Sequence, residues 1–132
     1  MDEQNQNNIP TILYVEDHCE SIKLVNIYLR NKFNILSADS MQSALNLLEN
    51  NSISLILMDI SLQNNEDGIQ LTKKIKADNR YRDLPVIALT SYSLKRDKEY
   101  FIAAGMIDCV TKPIIAEELI YKINETLSQW PN

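Results

Sequence analysis

Five short apolar segments alternate with longer segments in which apolar residues recur every three or four positions. The short segments are rich in aliphatic and β-branched residues, as strands usually are. They are TILYV (11–15), FNILSA (33–38), SLILMD (54–59), PVIALT (85–90) and DCVTK (108–112). The stripes between and after them predict helices, centred on residues 22–29, 44–48, 69–75, 100–104 and 119–127. The pattern therefore predicts five strand–helix units in succession.

The first, third and fourth predicted strands are almost entirely apolar and do not alternate with polar residues. Strands have this almost entirely apolar composition when helices cover both faces of a parallel sheet. We therefore predict an α/β fold, a (βα)5 doubly wound sheet of five parallel strands. In such sheets the functional crevice lies outside the carboxyl ends of the strands.

The 132 residues fit a single domain. We expect a polar N-terminal tail at 1–8, a domain at 9–129 and a short C-terminal end at 130–132. The composition, 45% hydrophobic and 23% charged, is typical of a globular protein, and no apolar run approaches the ~20 residues of a membrane span. No signal-peptide pattern opens the sequence, so we expect a cytoplasmic protein without membrane contact.

Charge and composition exclude several classes of function. The net charge of -5 and the lack of a Lys/Arg stripe argue against direct nucleic acid binding. The two cysteines, Cys19 and Cys109, are far apart and predict neither a disulfide nor a zinc site. Because Gly68 and Gly105 are the only glycines, no Walker loop or GxGxxG motif can be written.

Polar residues stand at the carboxyl ends of four predicted strands. Glu16 and Asp17 follow the first strand, Asp59 ends the third, Thr90 the fourth and Lys112 the fifth. Three carboxylates and one ammonium carry a charge of -2, which favours a divalent cation with oxygen ligands, Mg²⁺ (or Mn²⁺). A carboxylate beside such a cation and a lysine can act as the nucleophile in aspartyl-phosphate chemistry. We predict this role for Asp59, with Lys112 and Thr90 binding the phosphoryl group.

Each of these residues also has an ordinary structural interpretation. Asp17 with Glu20 three residues later can start a helix as a capping box. Thr90 is a β-branched residue in a strand, and Lys112 alone is an unremarkable lysine. The functional interpretation is favoured because all of them fall at strand ends that are predicted to converge.

The set YVEDH, LILMDIS, IALTS and VTKP resembles the receiver domain of two-component response regulators, over roughly residues 9–129. The resemblance implies a flavodoxin-like sheet of order 2-1-3-4-5 and phosphorylation of Asp59 by a histidine kinase or histidine phosphotransfer protein. It implies a cis peptide bond before Pro113 that directs Lys112 across the site. The implied metal ligands are Glu16, Asp17, Asp59 and the backbone carbonyl of Ser61.

The resemblance also implies what the protein does. It would be a phosphorylation-dependent signalling switch and not a conventional enzyme, acting on a downstream protein effector. It would be a monomer or a weak dimer through helix 4, strand 5 and helix 5. Two alternatives are a receiver fragment of a hybrid histidine kinase and a receiver-like scaffold that is never phosphorylated. A rival enzyme class is the haloacid-dehalogenase-like phosphatases, which also use an aspartate nucleophile with magnesium. Those enzymes need a second aspartate two residues after the nucleophile, where this chain has Ser61.

Several residues depart from the commonest receiver pattern or are expected to tune it. Cys109 stands where receivers often carry an aromatic residue that moves inward with the threonine. Gln63 replaces a frequent proline, in a loop that is one residue longer than usual. Ser61 and Tyr92, two residues beyond Asp59 and Thr90, are expected to flank the path of the water that hydrolyses the acyl phosphate and so to tune its lifetime. His18, the sole histidine, is expected to be a solvated surface group.

Overall fold

The computed structural model describes residues 9–60, 68–91 and 95–129, within which strands and helices alternate as predicted. The strands are β1 (Thr11–Val15), β2 (Asn34–Ala38), β3 (Leu55–Asp59), β4 (Val86–Thr90) and β5 (Asp108–Thr111). The helices are α1 (Cys19–Leu29), α2 (Met41–Asn50), α3 (Gly68–Ala77), α4 (Lys95–Ala103) and α5 (Ala116–Gln129). A short 3-10 turn, Asn79–Tyr81, lies between α3 and β4.

All five strands belong to one parallel sheet of order β2-β1-β3-β4-β5. The predicted fold class and strand order are therefore confirmed. The register aligns Val15 of β1 with Met58 of β3, and Asp59 with Leu89 of β4. Because the strands are parallel, the residues that follow β1, β3, β4 and β5 come together at one edge of the sheet.

The hydrophobic core lies in two layers, one on each face of the sheet. Since neighbouring strand residues point to opposite faces, Leu13 and Val15 contact the layer under α2, α3 and α4, whereas Ile12 and Tyr14 contact the layer under α1 and α5. These four side chains are almost completely buried. Burying one aliphatic side chain contributes roughly 1.5–3 kcal/mol, which explains why β1, β3 and β4 carry apolar residues on both faces.

Some element boundaries differ from the prediction by one residue. β4 begins at Val86 because Pro85 has no N–H to donate to the ladder. β5 ends at Thr111, so Lys112 lies just beyond the strand, although its backbone N–H still donates to the Thr90 carbonyl at 2.7 Å. The described helices are all too short or too polar to cross a lipid bilayer.

Candidate functional site

Three carboxylates meet at the carboxyl edge of the two central strands. Glu16 and Asp17 follow β1 directly, and Asp59 is the last residue of the neighbouring β3. One carboxylate oxygen from each lies within 4.8 Å of the other two. Glu16 and Asp59 are only 1% and 3% exposed, and Asp17 is half-buried. The structure thus brings Asp59 close to Glu16, which lies 43 positions earlier in the sequence, and to the adjacent Asp17.

Lys112 supplies the positive charge of this cluster. Its Nζ donates a hydrogen bond to Asp59 Oδ1 at 2.9 Å and lies 3.7 Å from Glu16 Oε1. The Lys112–Pro113 peptide bond is cis, as the family resemblance implies. Both carboxylates are buried, whereas the lysine side chain is still 30% exposed.

Glu16 is held by hydrogen bonds from two neighbouring residues. The Tyr14 hydroxyl donates to Glu16 Oε1 at 3.0 Å, and the His18 backbone N–H donates to Oε2 at 3.3 Å. Burial raises the pKa of the Glu16 carboxyl, and the adjacent Asp59 carboxylate raises it further, whereas Lys112 and Tyr14 act in the opposite direction. Burial and the nearby Glu16 raise the pKa of the Tyr14 hydroxyl. Without a bound cation, ionising both Glu16 and Asp59 is therefore unfavourable, because both are buried and their charges repel.

The capping interpretation of Asp17 is wrong. The residue at the N-cap of α1 is His18, and its side chain makes no capping hydrogen bond. The exposed imidazole of His18 agrees with the expected surface position. Asp17 therefore belongs to the acidic cluster by position and not to a capping box.

The structure describes two of the other predicted site residues, Thr90 and Cys109. Thr90 is buried at the end of β4, one residue beyond Leu89, which is paired with Asp59. Cys109 is buried in β5 and lines a cavity of about 50 Å³ with Phe101 and Ile107. Burial raises the pKa of its thiol. Ser61, Gln63 and Tyr92 lie outside the described residues.

Gly68 was not predicted to belong to the site. It is the first residue of α3, and a Cβ atom added there would overlap the carbonyl oxygen of Asp59 and lie 3.0 Å from Met58 Cγ. Its N–H donates to the Ile60 carbonyl at 3.2 Å. The sequence did contain a signal, because glycine is a poor helix former and this chain uses it only twice.

The donor set fits a hard divalent cation. Glu16, Asp17 and Asp59 offer only oxygen atoms, and the cluster contains no imidazole or thiolate ligand. Carboxylate oxygens are the ligands that Mg²⁺ and Mn²⁺ prefer. The excess of negative charge that Lys112 leaves is the charge that such a cation would neutralise.

The structure is a doubly wound parallel sheet with an acidic cluster and a lysine at its carboxyl edge. This is the arrangement expected of the receiver domains that the sequence resembles. The family model described as "Response regulator receiver domain" matches residues 12–124. The chain is therefore a member of the receiver domain family of two-component signalling systems.

Curated relatives and solved structures agree with this assignment. The chain is 31% identical to the heme response regulator HssR of Staphylococcus saprophyticus over 121 residues, covering 91% of this chain and 52% of that protein. It is 33% identical to the phosphate regulon transcriptional regulatory protein PhoB of Escherichia coli, covering 88% of this chain and 51% of PhoB. The chain spans about half the length of these curated relatives.

Two solved structures extend the comparison to three dimensions. A putative response regulator from Chloroflexus aurantiacus superposes with a TM-score of 0.85 at 25% identity, covering 92% of this chain and 99% of that chain. The receiver domain of a sensor histidine kinase from Pseudomonas aeruginosa gives 0.77 at 31% identity, covering 92% and 97%. That second structure holds a magnesium ion in its active-site cleft.

Proposed function

We propose that this chain is a phosphorylation-dependent switch in which Asp59 accepts a phosphoryl group from a histidine kinase or histidine phosphotransfer protein. The observation that supports this best is the buried Asp59 carboxylate with the Lys112 ammonium 2.9 Å away. A buried carboxylate lowers the stability of the fold unless it is paired. Asp59 also lies in the crevice at the carboxyl ends of the strands, which is where doubly wound sheets bind ligands.

The proposed reaction assigns a task to each side chain. An oxygen of the Asp59 carboxylate attacks phosphorus, the bond from phosphorus to the donor histidine nitrogen breaks, and its electron pair returns to the imidazole. Lys112 and Thr90 bind oxygens of the transferred group. Mg²⁺ (or Mn²⁺), when bound, supplies charge neutralisation for the phosphoryl oxygens.

The proposed ligands of this cation are the three carboxylates of the cluster. Glu16, Asp17 and Asp59 provide the acidic oxygens, and the backbone carbonyl of Ser61 would complete the protein ligands, as the family resemblance implies. The support from this chain is the spacing of the three carboxylates within 4.8 Å. The support from the relatives is the magnesium ion in the P. aeruginosa receiver domain.

The proposed output is a protein–protein contact in the cytoplasm. An aspartyl phosphate adds charge to the crevice edge, in the range of roughly -1.5 to -2 known for phosphorylated side chains, and so biases a two-state surface. We infer that Thr90 and Cys109 transmit the change to the face formed by α4, β5 and α5, which contacts an effector or a second copy. Tyr100 and Ile102 of α4 are 56% and 60% exposed on this side of the molecule.

The unit that carries this function is proposed to be residues 9–129. The relatives include both regulators and a sensor histidine kinase, GacS of Pseudomonas protegens, of which the match covers 13%. A stand-alone receiver and a receiver within a longer protein would use the same site. The site chemistry therefore does not depend on which of the two this chain comes from.

The test is to incubate the protein with Mg²⁺ and acetyl phosphate and to follow its intact mass. The unmodified protein should gain one phosphoryl group and Asp59→Asn should gain none. Asp78→Asn is the matched control, because Asp78 lies in a different part of the molecule and pairs with Arg80. If Asp59→Asn gains a phosphoryl group equally well, the proposed nucleophile is wrong and another residue accepts the group. If the unmodified protein gains none, the unphosphorylated scaffold is favoured instead.

A further inference from the structure

A tyrosine lies beneath the acidic cluster in the middle of the sheet. Tyr14 is 1% exposed and stands in β1 among aliphatic residues. A buried phenol needs a hydrogen-bond acceptor, and residues two apart along an extended chain point to the same side. Both conditions are met by Glu16, whose Oε1 accepts from the Tyr14 hydroxyl at 3.0 Å. The sheet therefore delivers one oriented donor to one carboxylate of the cluster.

The remaining contacts of Glu16 leave it few alternative orientations. Oε2 accepts from the His18 backbone N–H at 3.3 Å, and Oε1 lies 3.7 Å from Lys112 Nζ. The Glu16 backbone N–H donates to the Ala38 carbonyl of β2 at 2.9 Å, which fixes the main chain. The backbone and both carboxylate oxygens are thus constrained, and Tyr14 is the constraint supplied from the hydrophobic core.

We propose that Tyr14 is a positioning residue for the metal site, whose hydroxyl holds the Glu16 carboxylate in the orientation that binds Mg²⁺. This inference rests on the proposed function, because it requires that the cluster bind the cation. Groups that hydrogen-bond to metal ligands orient those ligands, and removing them typically lowers metal affinity about 10- to 100-fold. Tyr14 touches neither the cation nor the phosphoryl group in this account, and acts through Glu16.

The chain offers a matched control for removal of one hydroxyl group. Tyr28 lines the same cavity of about 320 Å³ as Tyr14, between α1 and the segment after β5. Its hydroxyl donates to the Ile114 backbone carbonyl at 3.4 Å and not to a carboxylate. Tyr14→Phe and Tyr28→Phe therefore remove the same group from the same cavity, and only the first removes it from Glu16.

The experiment is a calorimetric Mg²⁺ titration of the full chain and of both variants. Tyr14→Phe should weaken Mg²⁺ binding by about tenfold, whereas Tyr28→Phe should stay within about twofold of the unmodified protein. In a Glu16→Ala background the Tyr14→Phe change should have no further effect. Carbon NMR of the side-chain carboxyl groups in the metal-free protein should show a shifted Glu16 resonance for Tyr14→Phe only.

Three results would overturn the proposal. One is unchanged Mg²⁺ affinity and an unmoved Glu16 resonance in Tyr14→Phe, which would reduce Tyr14 to a core residue with a satisfied hydroxyl. Another is an equal loss of affinity in the Glu16→Ala background, which would show that Tyr14 does not act through Glu16. If the unmodified protein binds no Mg²⁺, the proposed metal site fails as well, and the titration of that protein alone distinguishes this case from the other two.

Discussion

The two edges of the sheet both carry charged clusters, but the two clusters differ in burial. At the carboxyl edge, Glu16 and Asp59 are almost fully buried and share Lys112 as their cation. At the amino edge, Arg80 pairs with Glu49 at 2.7 Å and with Asp78 at 2.8 Å while its side chain remains 59% exposed. The second cluster borders a polar cavity of about 280 Å³.

The difference shows which charged clusters point to function. Exposed ion pairs contribute at most about 1 kcal/mol, and many contribute nothing measurable. A buried group of like charges lowers stability, and proteins keep such arrangements mainly where a ligand or a reaction uses them. The carboxyl edge is of the second kind, so perturbing it should change stability and binding far more than perturbing the amino edge.

The largest effect should come from removing the cation of the buried cluster. Lys112→Met leaves Glu16 and Asp59 without their ammonium, and breaking a buried ion pair costs several kcal/mol. Because Lys112 is 30% exposed, we expect a smaller loss, about 2 kcal/mol in the free energy of unfolding at neutral pH without metal. Urea unfolding followed by circular dichroism measures it. A loss below about 0.5 kcal/mol would place this edge in the same class as an exposed pair.

The next effect concerns the cation that the cluster is proposed to bind. Asp17→Asn removes one anionic ligand and should weaken Mg²⁺ binding at least about tenfold in a calorimetric titration. Asp39→Asn is the matched control, because Asp39 is exposed and follows β2 at the same edge of the sheet. Equal affinities for the two variants would remove Asp17 from the proposed ligand set.

A smaller change in the free energy of unfolding is expected when Glu16 is replaced in the protein without Mg²⁺. Its sign is opposite to that of Lys112→Met, because the protein should become more stable. The pKa of Glu16 is raised on folding, so its contribution to stability is present below the unfolded pKa and is lost as the pH rises through the folded value. Glu16→Gln cannot ionise and should be more stable than the unmodified protein at neutral pH, by less than the loss caused by Lys112→Met. Urea unfolding between about pH 4 and pH 8 measures the difference. Parallel pH profiles for the two proteins would contradict the raised pKa.

The smallest effect should come from the amino edge. Arg80→Met removes two exposed ion pairs and a contact with the Tyr81 ring, whose centroid is 5.0 Å from the guanidinium carbon. The free energy of unfolding should change by no more than about 0.5 kcal/mol. Acetyl phosphate labelling should be unaffected. A change as large as that of Lys112→Met would show that exposure does not separate the two clusters.

The pattern of apolar residues was sufficient to predict the sheet and the edge that carries the cluster. The apolar runs of β1, β3 and β4 correspond to strands buried on both faces, and a parallel sheet places the residues after these strands together. The convergence of Asp17, Asp59 and Lys112 therefore followed from topology. The strand order itself came from the family resemblance and not from periodicity.

The remaining features of the site depend on contacts that periodicity does not encode. The hydrogen bond from Tyr14 to Glu16 needs the side-chain orientation, and the approach of Gly68 to Asp59 needs the backbone path of the returning chain. The N-cap of α1 fell on His18 because the chain leaves β1 in extended backbone for one residue more than the capping pattern suggested. The ends of helices and strands are the features that sequence patterns predict least reliably.

The close approach of Gly68 to the carbonyl of Asp59 has a consequence for tolerance to mutation. A side chain at position 68 fits only if the Asp59 carbonyl or the start of α3 moves, although no charged group is altered. A misplacement of about 1 Å in a reacting group can cost a hundredfold in rate. In a comprehensive substitution screen, position 68 should tolerate as few replacements as the acidic residues. A residue without a side chain would thus be among the hardest to replace.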